Sequence, residues 1–152
     1  MKLTIKLNDR LRNLEKLKNM KLSVGWFEDT RYNDNTQVAQ VAQWQEYGTS
    51  RGIPQRPFMR PAQMNNEENW KKIFAYGLKK GWSSDQIMKT LGLQVQGDIQ
   101  KEISNVFEPP LKPATIKARM RRRSDKKTVG NLTKPLIDTG VMFGSVSYRV
   151  EE

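Results

Sequence analysis

The stretch Tyr47-Gly48-Thr49-Ser50-Arg51-Gly52-Ile53-Pro54-Gln55-Arg56-Pro57-Phe58-Met59-Arg60-Pro61 restricts this chain more than any other, because it holds three of its seven prolines. Each X-Pro step biases the preceding residue toward extended backbone, so Ile53, Arg56 and Arg60 are expected outside any helix. An extended course places Arg56, Phe58 and Arg60 on one side, two residues apart. Two roles are open. Residues 48–61 could form a stiff exposed arm that grips another surface through Ile53, Arg56, Phe58, Met59 and Arg60. Alternatively they form a connector whose Phe58 fills its own core and whose arginines are solvated.

The rest of the chain must fold around this stretch as one unit. At 152 residues it corresponds to a single domain, residues 1–152. No apolar run approaches the length needed to cross a bilayer, and Met1-Lys2-Leu3-Thr4-Ile5-Lys6 alternates where a signal peptide would carry a continuous apolar core. Cysteine and histidine are both absent. That removes disulfides, thiolate nucleophiles, thiolate and imidazole metal ligands, and the commonest general base. No metal or other cofactor is expected. The formal net charge of +11 calls for acidic partners. Much of it lies in residues 112–134, where Lys117, Arg119, Arg121, Arg122, Arg123, Lys126 and Lys127 face a single acid, Asp125.

Leu3, Ile5 and Leu7 alternate as a half-buried strand would. Asn8 or Asp9 is placed to cap a following helix striped by Leu11, Leu14 and Leu17. A second strand is expected over Leu22–Phe27, with Gly25 marking a bulge or close approach. Gln37–Tyr47 reads as a short helix ending at Gly48. Ala62–Lys80 reads as a longer one with Trp70, Ile73, Phe74 and Leu78 on one side. Ser83 and Gln86 form a capping box for a helix whose Ile87, Leu91, Val95, Ile99 and Ile103 recur every four residues, a core stripe. Glu108–Pro113 is expected to be irregular, Pro113 to open a helix running to about Arg122, and 123–134 to form a flexible basic loop. Pro135–Gly140 reads as a turn, and alternation over Met142–Val150 as a closing strand. The layout predicts an α+β fold with a small, largely antiparallel sheet from the two ends, packed by several helices.

The chemistry-bearing residues give no catalytic constellation. Leu136-Ile137-Asp138-Thr139-Gly140 matches the active-site tripeptide of aspartic proteases, whose reaction needs two carboxylates sharing a proton. Only twelve residues follow Gly140, too few for the barrel and flap of such an enzyme. The expected role of Asp138 is a turn in which its side chain accepts backbone N–H groups. Glu67, Glu68, Asp85, Asp98 and Glu102 make no tight pair, and Asp98 with Glu102 reads as a solvated helix face. Gly48, Gly52, Gly77 and Gly81 lie outside any phosphate-loop context. Lys117–Lys127 could bind phosphates, although no interleaved aromatics are present for base stacking.

Four blocks resemble one family, the small neck or tail-completion proteins of tailed bacteriophages. They are Val24-Gly25-Trp26-Phe27; Val41-Ala42-Gln43-Trp44-Gln45-Glu46-Tyr47-Gly48-Thr49, similar to VAxxNExGT; and Ile53–Pro61, similar to IPARPFLRP. The fourth joins Pro109–Ile116 to Lys134–Gly140, similar to PPLSPxTIxxK…KPLIDTG. Gln45 stands where the family carries Asn, and Lys112 where a small capping residue is common. The resemblance implies a non-catalytic virion protein of the head–tail junction, assembled in the host cytoplasm. Its expected partners are its own copies in a ring, hexamer or dodecamer, and the adjacent neck, connector and tail proteins, with non-specific contact to packaged DNA. The competing class is a DNA-binding accessory protein using residues 117–127. A hydrolase built on Asp138 is a third.

Overall fold

The computed structural model describes residues 2–123 and 132–152. It is an α+β fold with helices α1 (Lys2–Asn19), α2 (Val38–Tyr47), α3 (Met59–Lys80), α4 (Ser84–Asn105), α5 (Pro113–Arg123) and α6 (Val141–Gly144), and strands β1 (Lys21–Gly25) and β2 (Ser147–Glu151). The two strands pair antiparallel, with Lys21 opposite Glu151 and Gly25 opposite Ser147. No helix among the described residues is long and apolar enough to cross a membrane.

The first expected strand is not one. Residues 2–19 form a single helix, and the alternation of Leu3, Ile5 and Leu7 misleads because Leu3, Leu7, Leu11 and Leu14 also recur at helical spacing. Extending a helix already required by Leu11–Leu17 adds one bond per residue without a new nucleus. The closing strand is shorter than its alternation, for a different reason. Gly144 N–H donates to the Gly140 carbonyl at 2.8 Å and Ser145 N–H to that of Val141 at 3.0 Å, winding 141–144 into a helical turn. Only Ser147–Glu151 remains to pair with β1.

α4 is the spine. Ile87, Leu91, Ile99 and Ile103 are buried along it, and both strands and α3 pack against it. Its capping box is complete: Gln86 N–H donates to Ser83 Oγ at 3.2 Å, and Ser83 N–H donates to Gln86 Oε1 at 3.0 Å. Just before it, α3 stops at Gly81, whose left-handed φ of 73° favours a residue without Cβ. At Gly92 an added Cβ would lie 2.4 Å from Tyr148 Cδ2, so the absent side chain is what lets β2 lie on the helix. Asp98 is buried too, contrary to its expected solvated role, because Trp70 Nε1 and Gln94 Nε2 donate to it at 2.7 Å and 3.1 Å. Leu78, expected on the apolar side of α3, is exposed.

Two apolar clusters flank the spine. One gathers Leu17 and Met20 against Ile87, Met88 and Leu91. The other is centred on Phe58, which packs with Val38, Ala42, Ile99 and Ile103 and receives residues Leu136, Met142 and Val146 from the C-terminal segment. Trp26 stands edge-on to Phe58, with centroids 5.7 Å apart, and ties the segments further by donating Nε1–H to the Met142 carbonyl at 2.8 Å.

Candidate functional site

The proline-rich stretch is not an exposed arm. Phe58 is 0% exposed and Arg56 4%, so neither is presented to a partner. Met59 and Arg60 lie in the first turn of α3, although Pro61 follows. The carboxylate of Glu46 explains how. It accepts backbone N–H bonds from Phe58 at 2.7 Å, Met59 at 2.9 Å and Arg60 at 3.3 Å. Pro61 has no N–H to satisfy, and the first bond within the helix runs from Ala62 N–H to the Phe58 carbonyl. Every donor that a helix start leaves open is therefore either bonded or absent. The helix start substitutes for the extended backbone that proline alone would favour.

Glu46 reaches this position because α2 buries Val38, Ala42 and Glu46, spaced four apart, on one face. That spacing was the sequence signal for it: an apolar stripe ending in a carboxylate. Burial pushes the Glu46 carboxyl up, but the donors from Phe58, Arg60 and Met59 outweigh this and hold it below the usual carboxylate range. Arg60 contributes Nε–H at 2.9 Å and also donates to the Glu46 carbonyl at 3.2 Å, while its guanidinium lies 5.2 Å from the Tyr47 ring centroid.

Arg56 crosses to a different segment. Its Nε–H donates to the Pro109 carbonyl at 2.8 Å and its terminal nitrogens to the Pro110 carbonyl at 3.1 Å and Gln45 Oε1 at 3.3 Å. Gln45 thus has a bonded role at the position where the resembling family carries Asn. The expected irregular segment 108–113 is held by this fork, and the Lys112 carbonyl receives the first bonds of α5 from Thr115 and Ile116.

Arg119, expected among the exposed cations, is 5% exposed. Its guanidinium donates to the carbonyls of Lys134 at 2.6 Å, Pro135 at 3.0 Å and Ile137 at 3.1 Å. Its Nε lies 3.7 Å from Asp138 Oδ1, and Arg122 donates to Asp138 Oδ2 at 2.7 Å. Burial lowers the pKa of both Arg56 and Arg119; the charge of Arg119 adds to this at Arg56, while at Arg119 the Asp138 carboxylate opposes it and Arg122 adds to it. Guanidinium starts so high that both stay charged. Asp138 is thus a counter-ion to two guanidiniums; among the described residues it accepts no backbone N–H, the role the turn reading expected.

A half-open cleft of about 370 Å³ runs between α2 and residues 135–142, edged by Tyr32, Asp34, Trp44, Arg122 and Asp138. Burial first, then the carboxylates of Asp138 and Asp34, raise the pKa of Tyr32. Among the described residues no cluster of three or more acids could hold a metal ion.

The remaining members of the two expected sites are dispersed. Ile53 and Met59 are half-buried, and Lys117, Arg121 and Arg122 are exposed on α5. Lys126, Lys127 and most of the basic loop 123–134 lie outside the described residues. No family model, curated protein or solved structure matches this chain.

Proposed function

We propose that this chain is a structural protein of the phage head–tail junction, a neck or tail-completion subunit that acts by assembling into a ring, without catalysis. The observation supporting it is that the blocks carrying the resemblance bind one another. Glu46 and Gln45 from the second block hold Arg60 and Arg56 of the third. Arg56 holds Pro109 and Pro110 of the fourth. Arg119 then binds Lys134, Pro135 and Ile137 in that block's second half. Trp26, from the first block, abuts Phe58. The four blocks thus pack against one another within one fold, which supports reading them together. Exposed large apolar side chains, among them Leu11, Leu14, Met64 and Leu93, supply surface of the kind subunit contacts use.

The partner surface moves with this reading. Arg56 and Phe58 serve the fold, and the contacts with neighbouring neck, connector and tail proteins fall to other faces. Light scattering on the purified chain at low and moderate salt tests the proposal. A discrete closed oligomer that survives moderate salt is expected. A monomer that binds duplex DNA tightly and releases it steeply with salt would overturn it in favour of the second reading, which the exposed Lys117, Arg121 and Arg122 on α5 favour.

A further inference from the structure

Among the described residues the sheet has two strands, so each presents one edge with no described strand on it. Two-stranded sheets are marginal on their own, and open edges are templates for further strands. Beside the free edge of β1 lies a largely apolar groove of about 420 Å³, lined by Leu22, Val24, Met59, Trp70 and Val95. It draws no residue from β2, which puts it on the far side of β1, where a third strand and its supporting layer would lie.

We infer that this position is filled by a second copy of the chain, with the outer edge of its β2 pairing antiparallel to β1. Within one chain the order is β1 then β2, antiparallel. The next copy's β2 would run opposite to β1 on the other side, so the alternation continues from copy to copy. Charge selects the occupant and the register. A chain of net charge +11 resists self-association unless opposite charges meet. The register already used within the chain places Lys21 opposite Glu151, and repeating it between copies sets the same exposed pair across the new junction. Tyr148 and Val150 of the incoming strand fall on the same sheet face as Leu22 and Val24, so the apolar layer of the second copy abuts the groove. The contact is heterologous, joining one surface to a different one, and such contacts close into rings or run into open filaments. The inference rests on the ring reading and names the surfaces that its copies share.

The absence of cysteine makes the test free of background. Lys21→Cys and Glu151→Cys are prepared as separate full-length variants, mixed, and oxidised. Residues directly opposite on antiparallel strands have Cα atoms about 4.5–5.5 Å apart, within disulfide range. The expected result is a band of twice the chain mass in the mixture, lost on reduction, with neither variant forming it alone. A band from K21C alone would mean that β1 edges pair with each other, and overturns the inference. So does a closed oligomer that yields no mixed disulfide, a result that leaves the ring reading standing. A mixed disulfide in an open-ended size distribution supports the edge pairing and sinks the closed ring. A chain that stays monomeric and uncrosslinked at high concentration overturns the pairing outright.

Discussion

The carboxylate of Glu46 accepts the backbone N–H of Phe58 at 2.7 Å, although the two residues lie on opposite sides of the loop that joins α2 to α3. That bond fixes the helix start and the entry of Phe58 into the core together. Glu46→Ala leaves three N–H donors and one guanidinium nitrogen without their acceptor. It is expected to lower unfolding free energy by about 2–3 kcal/mol, read as a lower midpoint in urea. Glu46→Gln retains one acceptor oxygen and should cost about half as much.

The same carboxylate predicts a pH dependence. Its folded pKa lies below the ordinary value of 4.5, so its contribution to stability is fully present above that value. The contribution declines as pH falls through 4.5 and is lost once pH passes below the folded pKa. Urea midpoints between pH 7 and pH 3 should therefore fall less in Glu46→Gln than in the parent chain. Parallel curves would assign the acid sensitivity to other carboxylates.

Phe58 is fully buried, so Phe58→Ala acts on the fold. A loss of about 3–5 kcal/mol is expected, and the thermal midpoint should fall by roughly 10 °C, at about 2–4 °C per kcal/mol for a chain near this size. An unchanged midpoint with lost assembly would instead restore the exposed-arm reading.

Arg119 separates charge from geometry. Lysine keeps the charge but cannot reproduce the fork that spans the carbonyls of Leu132, Lys134, Pro135 and Ile137. Arg119→Lys is expected to destabilise nearly as much as Arg119→Met, by about 3 kcal/mol. Full rescue by lysine in chemical denaturation would mean that charge alone serves.

The contact between Gly92 and Tyr148 makes a repacking test. Gly92→Ala places a methyl where the tyrosine ring lies, and a cost of about 1–3 kcal/mol is expected from overpacking. Tyr148→Val in the same chain should recover part of it. Strictly additive losses in the double variant would show that the two sites do not touch.

Much of the fold was legible because periodicity reports burial directly. The stripe from Ile87 to Ile103, the box at Ser83 and Gln86, and the apolar face of Leu22 and Val24 all occupy their expected places. The proline-rich stretch was not, because its conformation is decided by a carboxylate that precedes it. Local bias makes Arg60 extended; three N–H bonds to Glu46 make it helical. Arg119 was hidden for another reason. In a run of arginines and lysines nothing local distinguishes the one that turns inward, and the carbonyls that bind it belong to residues 134–137. Glu46 alone left a trace, as the third member of the stripe begun by Val38 and Ala42.

Arg119 has one further consequence. By holding the carbonyls of Lys134, Pro135 and Ile137 from a position on α5, it joins that helix to the segment that delivers Leu136 to the core. In a chain without cysteine, one guanidinium fork takes the place of a crosslink between positions 15 to 18 residues apart.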